Sequence, residues 1–370
     1  MQTCDALIVG GGPAGSTCAW KLVRQGMAVT VLDKAQFPRN KVCAGWITPP
    51  VLEALQLDTA HYAKACVLQP ITAFRTGLIR GSEMETRYAD TVSYGIRRCE
   101  FDHYLLQRAG AQLRLGETLK SLERRGGRWI VNDTIETPLL IGAGGHFCPV
   151  ARHLGARLGA GETAVAAKEI EFEMQADQRA ACRVSGDTPE LYFCRDFKGY
   201  GWCFRKGDYL NIGLGREGHQ GLGEQLEDFC DFLKQRGRIP ADIPEKFQGH
   251  AYLLHGRSAR KLIDEGVLLV GDAAGLAYPE SGEGIRPAVE SGLIAADVVG
   301  QSAGDYSQSR LQSYAERLSA RFGGGAGADA SLVPQSLRNV LAAALLGSRW
   351  FTRRVVLDRW FLHAHLAALH

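Results

Sequence analysis

The stretch Ala6-Leu7-Ile8-Val9-Gly10-Gly11-Gly12-Pro13-Ala14-Gly15 decides the fold class. Four consecutive apolar residues read as a parallel strand buried on both faces. The glycines read as a tight turn, and the apolar pattern from Ala14 to Gln25 reads as a helix that the turn opens. A second apolar run, Ala28-Val29-Thr30-Val31-Leu32, completes a βαβ unit. Gly10, Gly12 and Gly15 fit the spacing G-x-G-x-x-G, with Pro13 and Ala14 between them. Backbone amides at such a helix start can cradle a pyrophosphate, and glycine removes the Cβ atoms that would block its approach. Asp33 ends the second strand, where it can accept ribose hydroxyls and disfavour a 2′-phosphate; Lys34 beside it is a further candidate cofactor contact. A plain glycine-rich turn is the competing reading, and the strand, helix and acid in sequence weigh against it.

Outward from this unit, Leu139-Leu140-Ile141 and Val267-Leu268-Leu269-Val270 are further buried-strand candidates. Gly271-Asp272-Ala273-Ala274-Gly275 follows the latter; its small residues let backbone approach a ligand, and Asp272 can take hydroxyl hydrogen bonds. Pro279-Glu280-Ser281-Gly282-Glu283-Gly284-Ile285 then leads into a helix over about 284–299. The amides of that helix start can face a developing negative charge such as the N1/O2 edge of a reduced flavin. Glu280 and Glu283 place carboxylates at the same edge, although solvated helix-start acids are an equal reading. A helix is expected over 101–109 and a strand at Trp129-Ile130-Val131.

The middle of the chain differs. Glu169-Ile170-Glu171-Phe172-Glu173-Met174 alternates cleanly, and 191–215 alternates more loosely, as in antiparallel strands with one face covered. Leu222, Leu226, Phe229 and Leu233 fall at helical spacing opposite acids. A second G-x-G-x-x-G match, Gly213-Leu214-Gly215-Arg216-Glu217-Gly218, follows an alternating segment and is read as hairpin turn chemistry. No separate nicotinamide domain is then visible. The expected fold is α/β plus antiparallel β: a Rossmann-like dinucleotide domain (1–65, 95–160 and 257–303) interleaved with a β-sheet substrate domain (66–94 and 161–256). A C-terminal helical segment (304–370) follows, with a glycine-rich hinge at 323–327 before its tail.

Composition sets the class. The 370 residues carry 43 Lys+Arg against 40 Asp+Glu, a net charge of +3 that is too small to make a nucleic-acid-binding field. At 45% hydrophobic and 22% charged the chain is globular rather than disordered. The ten cysteines include no Cys-x-x-Cys pair and no zinc spacing, so reduced thiols and no metal site are expected. No export signal or spanning apolar run is seen, and a cytoplasmic location is expected.

These motifs resemble the FAD-binding family of aromatic hydroxylases, flavin halogenases and geranylgeranyl reductases, over roughly the first 300 residues. Residues 10–15 and Asp33 match its ADP-binding part. Arg98, in Arg98-Cys99-Glu100-Phe101-Asp102, matches the Arg-x-x-Phe-Asp helix start that reaches FAD, and Gly271-Asp272 matches the ribityl-contact motif. The resemblance implies FAD as cofactor, a Rossmann-like domain of the glutathione-reductase type, and an antiparallel sheet roofing the flavin.

Three segments are similar to the geranylgeranyl reductase branch. Lys41-Val42-Cys43-Ala44-Gly45 resembles Lys-Pro-Cys-Gly-Gly, whose cysteine lies near the flavin. Tyr200-Gly201-Trp202-Cys203-Phe204-Arg205-Lys206 resembles Tyr-x-Trp-x-Phe-Pro-Lys, with Arg205 in place of proline. Gly282-Glu283-Gly284-Ile285 resembles the Thr-Gly-Glu-Gly-Ile turn of that branch, with Ser281 in place of Thr. Tyr200, Trp202 and Phe204 share one strand face and can wall an apolar substrate, or else fill the core. The hydroxylase Asp-Gly pair is absent: the strand ending at Ile141 continues as Gly142-Ala143-Gly144-Gly145, which puts the usual NADPH delivery in doubt. The halogenase Trp-x-Trp-x-Ile-Pro element is also missing.

The resemblance implies an oxidoreductase that reduces C=C bonds of an isoprenoid or other apolar chain, by hydride from reduced flavin. Cys43, or water held by Glu283, is then the candidate acid. An external donor, NAD(P)H or a redox protein, would supply the electrons. A flavin monooxygenase and an electron-transfer flavoprotein are the alternatives. In the tail, Arg349, Arg353, Arg354 and Arg359 interleave with Trp350, Phe351, Trp360 and Phe361. That pattern suits peripheral contact with an anionic membrane. Apolar residues on nearly all sides favour instead a helical pair packed on protein.

Overall fold

Ala6–Val9 is apolar without interruption because neither of its faces meets water: Ala6, Leu7 and Ile8 are fully buried. In the computed structural model, which describes residues 1–157, 164–218, 220–257, 260–323 and 335–369, this strand lies within a six-stranded sheet. The order is Ile263–Asp264, Val267–Leu269, Leu139–Gly142, Ala6–Val9, Val29–Asp33 and Gln112–Leu115. All neighbours are parallel except the first pair. A four-stranded sheet, built from Leu122–Arg125, Arg128–Val131, Ile135–Thr137 and Gln2–Thr3, accompanies it.

The helices Pro13–Arg24 and Ile285–Gln301 pack together at a contact that only glycine permits, since a Cβ on Gly292 would lie 2.5 Å from the Ala14 carbonyl oxygen. Gln308–Phe322 closes this region, with the Tyr314 hydroxyl donating to the Leu269 carbonyl at 2.6 Å.

The chain divides into two compact units. The first comprises Met1–Asn40, Cys99–Thr163 and Tyr252–Ala328; the second comprises Lys41–Arg98, Ala164–Ala251 and Asp329–His370. The sequence boundary at 65 differs from the observed change at Lys41. The cause is strand pairing: Trp46–Ile47 joins Ser93–Ile96 in a three-stranded sheet with Leu68–Ile71, which ties residues 41–65 to the second unit. The segment expected as one C-terminal piece is likewise shared, with Gln308–Phe322 in the first unit and the helical stretch after Gln335 in the second. Most of the expected hinge, 324–327, lies outside the described residues.

The second unit is built on a sheet ordered Gln248–Leu253, Ala164–Glu173, Tyr209–Glu217, Gly199–Lys206, Glu190–Phe193, Ala73–Leu78 and Glu83–Arg87. One face carries Ile170, Cys203, Leu210, Ile212 and Leu214 against the amphipathic helix Leu222–Gln235. Gly201 lets the Phe229 ring lie flat on the strand, where a Cβ would be 2.7 Å from it.

The glycine pair read as a hairpin turn proves to be strand. Gly213 and Gly215 lie inside Tyr209–Glu217, and Gly213 is there because a Cβ would collide with the Trp202 indole of the neighbouring strand. Alternation alone does not separate a turn glycine from one that makes room for a cross-strand ring. Among the described residues all ten cysteines stand outside any disulfide; seven are buried, while Cys43, Cys66 and Cys99 are half-buried.

Candidate functional site

In the first unit the glycine turn is shaped by backbone contact. Gly10 has φ +118°, and a Cβ there would run into the Ala143 carbonyl and lie 2.8 Å from the Gly144 nitrogen. A Cβ on Gly15 would strike the Gly10 carbonyl. Gly12 is extended and precedes Pro13, the first helical residue, which has no N–H to satisfy. No side chain caps this helix and no acid stands in its first turn, so its leading amides remain for an anion. Asp33 accepts the Gly11 amide at 2.7 Å and the Ala35 amide at 2.8 Å, fixing the turn against the end of the second strand. Lys34 is exposed.

Sequence reading missed Arg39. Its Nη2 stands 3.4 Å from where a Gly12 Cβ would be, and 3.4 Å from the Asp102 carboxylate. Asp102 is fully buried, so it anchors a guanidinium beside the glycine turn. The signal was present: Asp102 closes the Arg-x-x-Phe-Asp segment. Arg98, at the other end of that segment, is buried and opens the helix Arg98–Arg108.

The second expected cofactor segment lies against the same helix start. Gly271 has φ +60°, its amide donates to the Ser291 hydroxyl at 3.0 Å, and a Cβ would approach the Ala14 methyl to 2.8 Å. Asp272 follows in a single 3₁₀ turn, and its Oδ1 lies 3.3 Å from where a Gly284 Cβ would be, beside the start of the helix at Ile285. Gly282, at φ +68°, leaves space that the Tyr252 hydroxyl fills.

Glu283 accepts the Arg286 amide at 2.7 Å and so satisfies one of the helix's leading amides. The residue is half-buried, but its carboxyl lies deep in the turn, and that burial pushes it up to about 7. Further along the helix Arg286 and Arg321 both bind the buried Glu290, at 2.9 and 2.6 Å. Glycines bared toward two helix starts, with Asp33, Asp272 and Arg39 around them, fit a dinucleotide with a pyrophosphate, as FAD has.

In the second unit the alternating strand was expected to show its acids to water. Instead Glu169 is only 6% exposed. Glu169, Glu171, Asn211, Trp202, Phe204 and Lys206 share the sheet face opposite the apolar core, as the registers Glu171↔Asn211, Trp202↔Gly213 and Phe204↔Asn211 require. Lys206, 1% exposed, donates to Glu171 at 2.8 Å, and Arg97 lies 3.5 Å from the same carboxyl. Burial acts on both acids with opposite results. At Glu171 the Lys206 and Arg97 charges overcome it and hold the carboxyl below the usual range. At Glu169 burial wins and pushes the carboxyl up to about 8. Lys206 is engaged by Glu171, and charging a second buried carboxylate would cost several kcal/mol, so Glu169 stays neutral at pH 7.

The Cys43 loop lies on this face. The Cys43 amide donates to Glu169 Oε2 at 2.7 Å, Asn211 Nδ2 donates to the Cys43 carbonyl at 3.2 Å, and the Gly45 amide donates to Cys43 Sγ at 3.4 Å. Trp202 Nε1 donates to Asn211 Oδ1 at 2.7 Å. Phe204 stacks on Trp46 at 5.1 Å, and Phe361 reaches Tyr200 at 5.2 Å and Trp46 at 5.5 Å. Tyr200, Trp202 and Phe204 thus belong to one aromatic cluster. Asn211 and Trp46 were not singled out from the sequence, and Glu169 and Lys206 appeared there only within the strand pattern and the 200–206 segment, with no role assigned.

The family described as "FAD binding domain" matches residues 3–322. The chain belongs to that family. This flavoprotein is 31% identical to the geranylgeranyl diphosphate reductase of Rhodobacter capsulatus, over 79% of its own length and 74% of the relative's. It is 28% identical to the digeranylgeranylglycerophospholipid reductase of Methanococcus vannielii, over 85% and 82% respectively. A geranylgeranyl bacteriochlorophyll reductase-like protein from Thermoplasma acidophilum shares its fold, with a TM-score of 0.74, 21% identity, and 94% and 88% of the two chains covered. The protein is a FAD-dependent oxidoreductase. Among the described residues no cluster of His, Cys, Asp and Glu could hold a metal ion, and no helix is long and apolar enough to cross a membrane.

Proposed function

We propose that this flavoprotein reduces C=C bonds of an isoprenoid or similar apolar chain, with Cys43 as the proton donor. One observation carries the reading: the Asn211 side chain accepts from the Trp202 indole and donates to the Cys43 carbonyl, so the thiol-bearing loop is fastened to a buried aromatic cluster. The names of the two sequence relatives support the substrate class.

FAD, once reduced, supplies a hydride. The turn at Gly10, Gly12 and Gly15, with Asp33, Arg39, Gly271 and Asp272, would hold it in place. Gly282, Gly284 and Ile285 supply the second helix start. Tyr200, half-buried, is the one of the three aromatics open to meet the chain; Trp202 and Phe204, 5% and 1% exposed, lie in the core behind it. The Cys43 thiol gives its proton to the carbon that does not take the hydride, leaving a thiolate to be reprotonated from solvent. Glu283, whose carboxyl burial pushes up to about 7, is the second candidate, acting through a water it holds. The electrons originate in an external donor, NAD(P)H or a redox protein.

The test is anaerobic incubation of photoreduced enzyme with geranylgeranyl diphosphate and mass analysis of the product. A gain of two hydrogens per double bond is expected. A product carrying an added oxygen in air, with no hydrogenated product without air, would replace this reading by oxygenation.

The C-terminal segment supports a further part of the proposal, peripheral contact with an anionic membrane. Its end is packed on protein: Phe361 and Leu357 are buried, and Asp358 accepts the Tyr88 hydroxyl at 2.8 Å. The preceding stripe is open, with Val340, Leu341 and Trp350 each more than half exposed and Arg349, Arg353 and Arg354 exposed beside them. Arginines flanking an apolar stripe complement anionic headgroups. Flotation with phosphatidylglycerol vesicles should be lost in Trp350→Ala/Leu341→Ala. Equal flotation of variant and parent would remove the membrane contact.

A further inference from the structure

The backbone of Cys43 is held at both ends by side chains from two neighbouring strands. Glu169, on Ala164–Glu173, takes the amide at 2.7 Å, and Asn211, on Tyr209–Glu217, gives to the carbonyl at 3.2 Å. Both side chains are buried, Asn211 to 1% exposure. Asn211 is itself fixed, since its oxygen takes the Trp202 indole hydrogen at 2.7 Å. Its two amide hydrogens face three acceptors, the Cys43 carbonyl at 3.2 Å and Glu169 and Glu171 at 3.4 Å each. Gly213 makes the arrangement possible, because any Cβ there would push the indole away. Gly45 closes the loop tightly, where a Cβ would stand 2.5 Å from Lys206 Nζ. These contacts fix the peptide and leave the thiol to a single long hydrogen bond from Gly45.

We infer that Glu169 and Asn211 are positioning residues that clamp the Cys43 peptide and thereby set the direction of its thiol. Neither touches the sulfur, so neither is a catalytic residue. The inference deepens the reading of Cys43 as acid and rests on it for its functional meaning, while the clamp itself is a statement about the loop. A clamp of this kind restricts the thiol to a narrow range of orientations, as a proton donor requires. An acceptor oxygen, charged or neutral, is all that position 169 needs to offer the Cys43 amide, so glutamine preserves the clamp and alanine removes it.

The experiment measures alkylation of Cys43 by iodoacetamide in the FAD-loaded enzyme, peptide by peptide, with the half-buried Cys66 as internal reference. Glu169→Ala and Asn211→Ser should each change the Cys43 rate at least fivefold and leave Cys66 unchanged, and Glu169→Gln should restore the parent rate. In turnover, kcat should fall about tenfold in the first two variants while KM for the prenyl substrate holds. An unchanged Cys43 rate in both variants, or a parallel change at Cys66, overturns the clamp. Should Glu169→Ala fail to fold, Asn211→Ser and Glu169→Gln carry the same comparison. If Cys43→Ala reduces prenyl substrate at the parent rate while the alkylation pattern holds, the acid role fails and the clamp stands.

Discussion

The glycine turn of the first unit and the carboxylate face of the second solve opposite problems. At the turn, side chains are removed so that backbone amides can meet an anion, and what charge there is comes from Asp33 and Arg39 at the margin. On the face, charge is concentrated and buried: two acids, one lysine and one asparagine fix a loop that carries a thiol. The first arrangement depends on backbone geometry and tolerates no added atom. The second depends on charge balance, and its failure should appear as lost stability and altered titration before it appears as lost fold.

The sharpest way to break the comparison is at Gly10. Gly10→Val forces a side chain into the Ala143 carbonyl at a φ that β-branched residues avoid. The variant should purify with less than a tenth of the parent's flavin, read from the ratio of absorbance at about 450 nm to that of the protein. The next effect in size is Lys206→Met. It takes the main cation from the half-buried Glu171, which keeps Arg97 at 3.5 Å, and the loss should be about 3 kcal/mol in urea unfolding. Adding Glu171→Gln to Lys206→Met should return most of that loss, whereas a merely packed Lys206 stem would give none back.

An effect of comparable size separates the two acids of the face. The Glu169 carboxyl is raised by burial from 4.5 to about 8, so the folded state binds a proton that the unfolded chain releases. Its contribution is present in full below about 4.5, declines as pH rises, and is gone above about 8. The slope is up to about 1.4 kcal/mol per pH unit for one proton. Glu169→Gln should flatten the stability profile between pH 5 and about 8 and make the variant more stable than the parent at pH 8. Glu171→Gln should not, because Glu171 is held charged by Lys206. The smallest effect expected is at Gly213: Gly213→Ala displaces the Trp202 ring and should cost about 1–3 kcal/mol, with flavin content unchanged.

The same contrast explains what was legible. The βαβ unit could be read because a strand buried on both faces, a glycine turn and an amphipathic helix each leave a local pattern, and the helix placed over 284–299 is seen as Ile285–Gln301. The alternation of Glu169, Glu171 and Glu173 correctly implied a strand and a shared face, yet it carries no record of what covers that face. Lys206 and Asn211 are 35 and 40 positions from Glu171, and only the antiparallel pairing of three strands brings them together. Arg39 was hidden for a similar reason, since its anchor Asp102 is 63 residues away. Gly213 shows the converse: a local glycine motif matched a familiar turn while its cause lay in a neighbouring strand.

At issue is whether the Cys43 thiol, fastened beside the buried aromatic cluster, protonates the chain as hydride is added. Single-turnover reduction of geranylgeranyl diphosphate by anaerobically photoreduced enzyme tests it most directly, with the parent compared to Cys43→Ala at saturating substrate. The parent should give a hydrogenated product, and the variant should react at least a hundredfold more slowly with substrate affinity preserved. Equal rates in the two proteins would contradict it.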